Sequence, residues 1–142
     1  MQRQAITYLS TPAPAPSEPP HRPPSSAGPI IRAEEGDYIQ VVLRNNLPFA
    51  INLEPSGVKY GKPAVAAPGT TVTYIWAAPA STAACNPSGE TSQMWHYRST
   101  VDPVAHNAAG LFGPIVITRK GHAKPNGSPK DVDKELFAVF MV

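Results

Sequence analysis

Cysteine is almost missing from this 142-residue chain, and Cys85 stands alone. A single thiol cannot close an internal disulfide and has no second thiolate with which to build a zinc or iron–sulfur site. The plain reading of Cys85, in the polar loop STAACNPSGE, is a free thiol without a role. Charge is scarce as well: charged residues make up 15% of the chain and the formal net charge is +2. That leaves no basic excess for nucleic acid or an anionic membrane surface. No apolar run approaches the roughly 18 residues of a spanning helix, and residues 1–10 contain no signal-type apolar core, so the chain reads as soluble. Helical periodicity is missing too, with VAHNAAG at most a short helical turn. The ten acidic residues form no recognisable acid–base pair. No glycine loop is suited to phosphate, and no Ser-His-Asp arrangement follows from spacing. Glu34, Glu35 and Asp37 read as a solvated turn.

Proline is abundant. Thr11 to Pro29 carries eight prolines in nineteen positions, which removes backbone donors and favours extended, polyproline-like conformations. This segment reads as an arm or linker. PAPAP could also serve as a ligand for an aromatic groove, but it lacks a flanking specificity element. Beyond it come short runs rich in Val, Ile, Thr and aromatics, divided by Gly, Pro and Asn, the signature of strands and turns. YIQVVLRN places Ile39, Val41 and Leu43 on one face, and TTVTYIWA does the same for Val72, Tyr74 and Trp76. Further strands are expected at Ala50 to Leu53, Gln93 to Ser99, Leu111 to Thr118 and Glu135 to Val142, with Gln4 to Leu9 outlying. The expected division is an outlying strand in 1–10, the arm in 11–29 and one domain in 30–142. The expected architecture is a two-sheet antiparallel sandwich. Trp76 and Trp95, on strands among apolar neighbours, read as core. EEGD, APGT and PNGSP offer turn glycines. Asn126-Gly127-Ser128 is a formal glycosylation sequon, followed unfavourably by Pro129.

The segments GPIIRAEEGDYIQVVLRNNLPFAINLEPSGV, TTVTYIW, WHYRSTVD, AGLFGPIVITRKG and GSPKDVDKELFAVFMV occur in a linked order and spacing. Together they resemble one domain of the ceruloplasmin-type multicopper oxidases, to which coagulation-factor A domains are similar. The resemblance covers Gly28 to Val142 and, more faintly, Gln4 to Leu9. It implies an all-β fold, a cupredoxin-like Greek-key β-sandwich, here incomplete at the N-terminal strand. In that family His-X-His segments present pairs of imidazoles to copper shared between domains, since alternate strand residues face the same way. Carried over, the first pair falls on Glu54 and Ser56 and the second on Arg98 and Thr100. The blue-copper cysteine position is Ser99, and the axial position in AGLF has no methionine. Related domains pair a cysteine near Cys85 with one at the position of Thr118, so that disulfide is lost too. The family's loop before TYIW is shortened here to KYGKPAVAAPG. The family also has a further strand before QAITYL and continues past FMV, so the chain is expected to be a trimmed module.

What replaces the copper is then the question. His96 and His106 are weak metal candidates, because a redox copper site needs about three nitrogen or sulfur ligands with a supporting shell. Arg98 puts an obligate cation where a metal would sit. The expectation is that Arg98 pairs with Glu54, with Ser56 and Thr100 satisfying the remaining donors, against the plainer reading that both charged groups face water. No cofactor is expected for this chain, although copper serves the family. The expected role is a degenerate, non-catalytic structural or protein-interaction module. Its partner would be another cupredoxin domain, a subunit or a second copy, without nucleic acid or a membrane span. Alternatives are a domain or subunit of an active, ferroxidase-like multicopper oxidase whose ligands come from other domains, or a truncated product without function. The resemblance implies an extracytoplasmic setting, which no targeting segment supports.

Overall fold

The computed structural model describes residues 4–10, 27–80 and 89–140. The strands are β1 (Gln4–Ser10), β2 (Ile31–Glu34), β3 (Tyr38–Arg44), β4 (Glu54–Pro55), β5 (Thr71–Ala77), β6 (Ser92–Arg98) and β7 (Phe112–Thr118), with one short helix, α1 (Pro103–Ala108), between β6 and β7. They form two sheets, one of order β1-β3-β5 and the other β2-β7-β6-β4.

Alternation builds the core. In β3, Ile39, Val41 and Leu43 are completely buried, and antiparallel register sets them opposite Trp76, Tyr74 and Val72 of β5. From the second sheet Ile31, Ile115 and Ile117 join the same cluster. Each such side chain contributes roughly 1.5–3 kcal/mol by leaving water. β7 lies between β2 and β6, and its residues 115–118 are buried without alternation, as expected of a strand covered on both faces. Trp76 is core as expected; Trp95 is half-buried and packs against the edge of that core.

Two glycines give Tyr97 its place. A Cβ at Gly28 would fall on the Tyr97 hydroxyl and one at Gly113 on both hydroxyl and ring, so the phenol lies over bare backbone and donates to Pro29 O at 2.9 Å. This bond, with Gly28 N–H donating to Phe112 O at 2.6 Å, fastens the end of the proline-rich arm to the second sheet. Burial pushes the Tyr97 hydroxyl well above the ordinary phenol range.

The structure corrects three expectations. The sandwich is not wholly antiparallel, since β1 pairs β3 and β2 pairs β7 in parallel. Ala50 to Leu53 forms only an isolated bridge, Ile51 with Ala66, and the strand itself is Glu54–Pro55. Side chains take the backbone groups that a ladder would use: Asn45 Nδ2 donates to Phe49 O and Ala66 O, and Leu53 N–H donates to the Tyr74 hydroxyl. Finally, residues 135–140 are not a strand, and 141–142 lie outside the described residues. That segment is held by a side chain instead. Arg32 makes a bidentate pair with Glu135, both contacts 2.8 Å, and stands 5.9 Å from the Phe137 ring centroid.

Candidate functional site

β4 lies along β6 with Glu54 directly opposite Arg98 and Pro55 opposite Tyr97. Alternation turns His96 and Arg98 to the exposed face of β6, while Tyr97 and Ser99 turn inward. Glu54 and Arg98 are therefore neighbours, while Ser56 and Thr100 flank the pair on either side, Ser56 beside His96 and Thr100 beside Asn52.

The expected ion pair does not form. Arg98 is exposed and forms no ion pair with Glu54. Glu54 is taken by an uncharged partner, the Tyr60 hydroxyl, which donates to Oε1 at 2.5 Å. That hydrogen bond, reinforced by Thr100, holds the Glu54 carboxyl below its ordinary range, and Arg98 adds the least. The same bond raises the Tyr60 phenol, because ionisation would destroy the donor and place two negative charges together.

Asn52, which the sequence reading passed over inside an apolar run, organises the inner side. Its Nδ2 donates to Thr100 Oγ1 at 2.8 Å, and its Oδ1 accepts from Thr100 N–H at 2.8 Å and from Ser99 Oγ at 3.3 Å. Ser99 Oγ also lies 2.8 Å from His106 Nδ1. His106 is buried and stacks on Phe49, centroids 4.9 Å apart and planes 17° from parallel. α1 brings it there. Asp102 caps the helix by accepting from Ala105 N–H, and Pro103 begins it. Ser99 and His106 are at nucleophile–base distance, but Ser99 is fully buried, so no substrate can reach the hydroxyl. The signal that would have found Asn52 is an amide between Ile51 and Leu53, where burial demands partners for both ends.

On the outer side Ser56 holds His96. The Ser56 hydroxyl can donate to His96 O at 3.0 Å, and its Oγ accepts from His96 N–H at 3.1 Å. His96 Nδ1 lies 3.2 Å from the same oxygen. His96 and His106 accordingly serve opposite faces of the β6 run, and the structure does not bring them together. Among the described residues no group of three or more His, Cys, Asp or Glu side chains is gathered as a metal site. Two hydroxyls, a carboxylate already hydrogen-bonded by a phenol and a permanent cation do not fit copper, which prefers imidazole and thiolate. Cys85 lies outside the described residues.

A multicopper oxidase family model matches residues 24–122. This chain belongs to the multicopper oxidase family. The multicopper oxidase domain is 37% identical over 118 residues to mouse hephaestin, covering 81% of this chain and 10% of that protein. It is 33% identical to human ceruloplasmin over 131 residues, covering 78% of this chain and 12% of that protein. With bovine coagulation factor V it shares 33% identity over 133 residues, covering 81% and 6%. The domain thus spans about a tenth of the length of the first two relatives. Its fold matches a multi-copper oxidase from Pediococcus acidilactici with a TM-score of 0.53 at 19% identity, covering 68% of this chain and 20% of that one. The expected cupredoxin-like β-sandwich is therefore the fold of this multicopper oxidase domain. The family binds copper, but Glu54, Ser56, Arg98 and Thr100 are not the imidazole and thiolate donors that copper prefers.

Proposed function

We propose that this multicopper oxidase-type cupredoxin domain carries a hydrogen-bonded clasp at the family's copper-ligand positions and acts as a non-catalytic structural and interaction module. Glu54, Ser56, Arg98 and Thr100 occupy the places of the four imidazoles, and Ser99 that of the blue-copper thiolate. Hydrogen bonds tie together the strands that coordination bonds would otherwise join. The observation that carries this reading is the engagement of three of the four side chains by protein partners: Glu54 by Tyr60, Ser56 by His96 and Thr100 by Asn52. The fourth, Arg98, is a cation that opposes a metal ion at close range. The partners of such a module are further cupredoxin-like domains or subunits, in the extracytoplasmic setting that the family resemblance implies.

The test is reconstitution of the purified chain with copper, followed by metal analysis, the visible spectrum and oxidase assay. A folded protein without stoichiometric copper is expected. Stoichiometric copper with turnover would overturn the reading in favour of a directly copper-dependent oxidase domain.

A further inference from the structure

β6 carries two further donors that the clasp does not use. Strand alternation sets Met94, His96 and Arg98 on the exposed outer face of the second sheet, and Met94 is 64% exposed there. Met94 and His96 are two strand positions apart, a rise of about 7 Å. A flexible thioether side chain and an imidazole at that spacing on one face can close on a single ion between them. β7 puts Val116 opposite Met94 and Pro114 opposite His96, so neither cross-strand neighbour on that side brings a competing charge or side-chain donor.

The imidazole is held from behind. Ser56 grips the His96 backbone, with Oγ 3.1 Å from His96 N and 3.0 Å from His96 O, and the same oxygen lies 3.2 Å from ring Nδ1. Nε2 has no hydrogen-bond partner among the described residues. A metal-ligating histidine has its other ring nitrogen fixed by a hydrogen-bond partner, which sets the tautomer and the ring orientation. Ser56 is placed to be that partner. With an ion on Nε2 the ring proton sits on Nδ1, and the hydroxyl can accept it while donating its own proton to His96 O.

Donor chemistry selects the ion. One thioether and one imidazole are too few for the three- or four-ligand sites of Zn(II) and Cu(II), and among the described residues no larger set of His, Cys, Asp or Glu is gathered. They suit a soft monovalent ion, for which a thioether is a preferred ligand. Arg98, next along the same face, opposes a cation, but Glu54 lies directly across from it, so the two together leave no net charge beside the pair.

We propose that Met94 and His96 form a surface site for Cu(I), with Met94 Sδ and His96 Nε2 as its ligands and Ser56 as the residue that positions the imidazole. Neither ligand is one of the four clasp positions. An exposed two-ligand site releases its ion readily, so a chain freed of excess metal keeps no stoichiometric copper, in agreement with the clasp reading. Stoichiometric copper with turnover would overturn that reading without touching this one.

The test titrates the full chain, carrying Cys85→Ser so that no thiol takes the soft ion first, with Ag(I) as a diamagnetic ion of the same charge and softness. NMR is expected to show the Met94 methyl and the His96 ring moving along one saturation curve, while the exposed His122 ring stays in place at the same concentrations. Met94→Leu and His96→Gln should each weaken binding at least tenfold, and because both positions are exposed the far-UV spectrum should not change. A Met94 methyl that does not move, or an affinity at His96 that Met94→Leu leaves unaltered, overturns the proposal. Zn(II) should leave the Met94 methyl in place; a shift equal to that with Ag(I) overturns the assignment to a soft ion. Ser56→Ala should weaken Ag(I) binding several-fold and alter the His96 tautomer balance read from ring nitrogen shifts, and an unchanged balance overturns the positioning role of Ser56.

Discussion

Asn52 grips Thr100 at both ends, its Nδ2 donating to Thr100 Oγ1 and its Oδ1 accepting from Thr100 N–H, each at 2.8 Å. One buried amide thereby fixes the chain segment leaving β6 against the one entering β4. Replacing Asn52 by Ala removes the partner of the Thr100 amide and one partner of the fully buried Ser99 hydroxyl. Leaving such groups unsatisfied costs about 1–3 kcal/mol each. Urea unfolding of Asn52→Ala is expected to show a loss of about 2–3 kcal/mol, well above that of an exposed substitution.

The Glu54–Tyr60 bond gives the clasp a pH dependence with a definite sign. The folded Glu54 pKa is depressed, so its contribution is present above the unfolded carboxyl value of about 4.3 and is lost as pH falls through the lower folded value. The Tyr60 pKa is raised, so its contribution is complete below about pH 10 and is lost as pH rises through the folded value. Both groups are largely in contact with solvent, and the energetic effect is small. The clearer readout is NMR titration of the Glu54 carboxyl, whose midpoint should rise toward the ordinary range in Tyr60→Phe.

Installing imidazoles at the four clasp positions tests whether geometry or donor chemistry keeps copper away. Glu54 and Arg98 are direct cross-strand partners, and positions two apart share a strand face. The variant E54H/S56H/R98H/T100H is therefore expected to bind Cu(II) at least tenfold more tightly than the unaltered chain by titration calorimetry, a gain of about 1.4 kcal/mol or more. Equal affinity would mean that the strands do not hold the spacing copper needs.

Gly113 is required for a packing reason. A Cβ there would fall on the Tyr97 ring, and Tyr97 cannot yield without losing its bond to Pro29 O. Overpacking of this kind costs about 1–3 kcal/mol or more. Gly113→Ala is expected to lower stability by at least as much as Tyr97→Phe, which loses the hydrogen bond alone, when the two are compared by denaturant unfolding.

Arg32 secures residues 135–140 through Glu135 and Phe137, while Leu136 and Phe140 remain more than nine-tenths exposed. Arg32→Ala is expected to change global stability by only about 1 kcal/mol. Proteolytic cleavage in this segment should nevertheless accelerate several-fold, and Arg32→Lys should restore little of the protection because an ammonium cannot reproduce the bidentate fork.

The alternating faces of β3 and β5 were legible in the sequence because strand period and core burial coincide there: Ile39, Val41, Leu43, Tyr74 and Trp76 all lie where alternation puts them. α1 was legible as a short turn of helix. The segment around Ile51 misled because its apolar residues are buried by loops and side-chain hydrogen bonds, and burial without a ladder looks the same in a sequence as burial within one. Glu135 to Val142 misled for the converse reason, since its pattern suits a strand but residues 135–140 pair with no other strand. At the clasp, the facing of Glu54 and Arg98 followed from the resemblance. The partners actually chosen did not, because Tyr60 is six residues from Glu54 and Asn52 is 48 from Thr100.

Which residues avoid water, and which donors a metal could find, is written in the amino-acid order, since both follow from side-chain chemistry and a strand period of two. Family membership followed as well, from the order of its linked segments. Tertiary structure alone decided that Glu54 answers to Tyr60 rather than Arg98, that Asn52 joins Thr100 to Ser99, and that β1 completes the first sheet in parallel. Those choices depend on which groups come within hydrogen-bonding distance once the sheets have closed, and a directional bond of about 2.8 Å discriminates between neighbours that sequence spacing leaves equivalent.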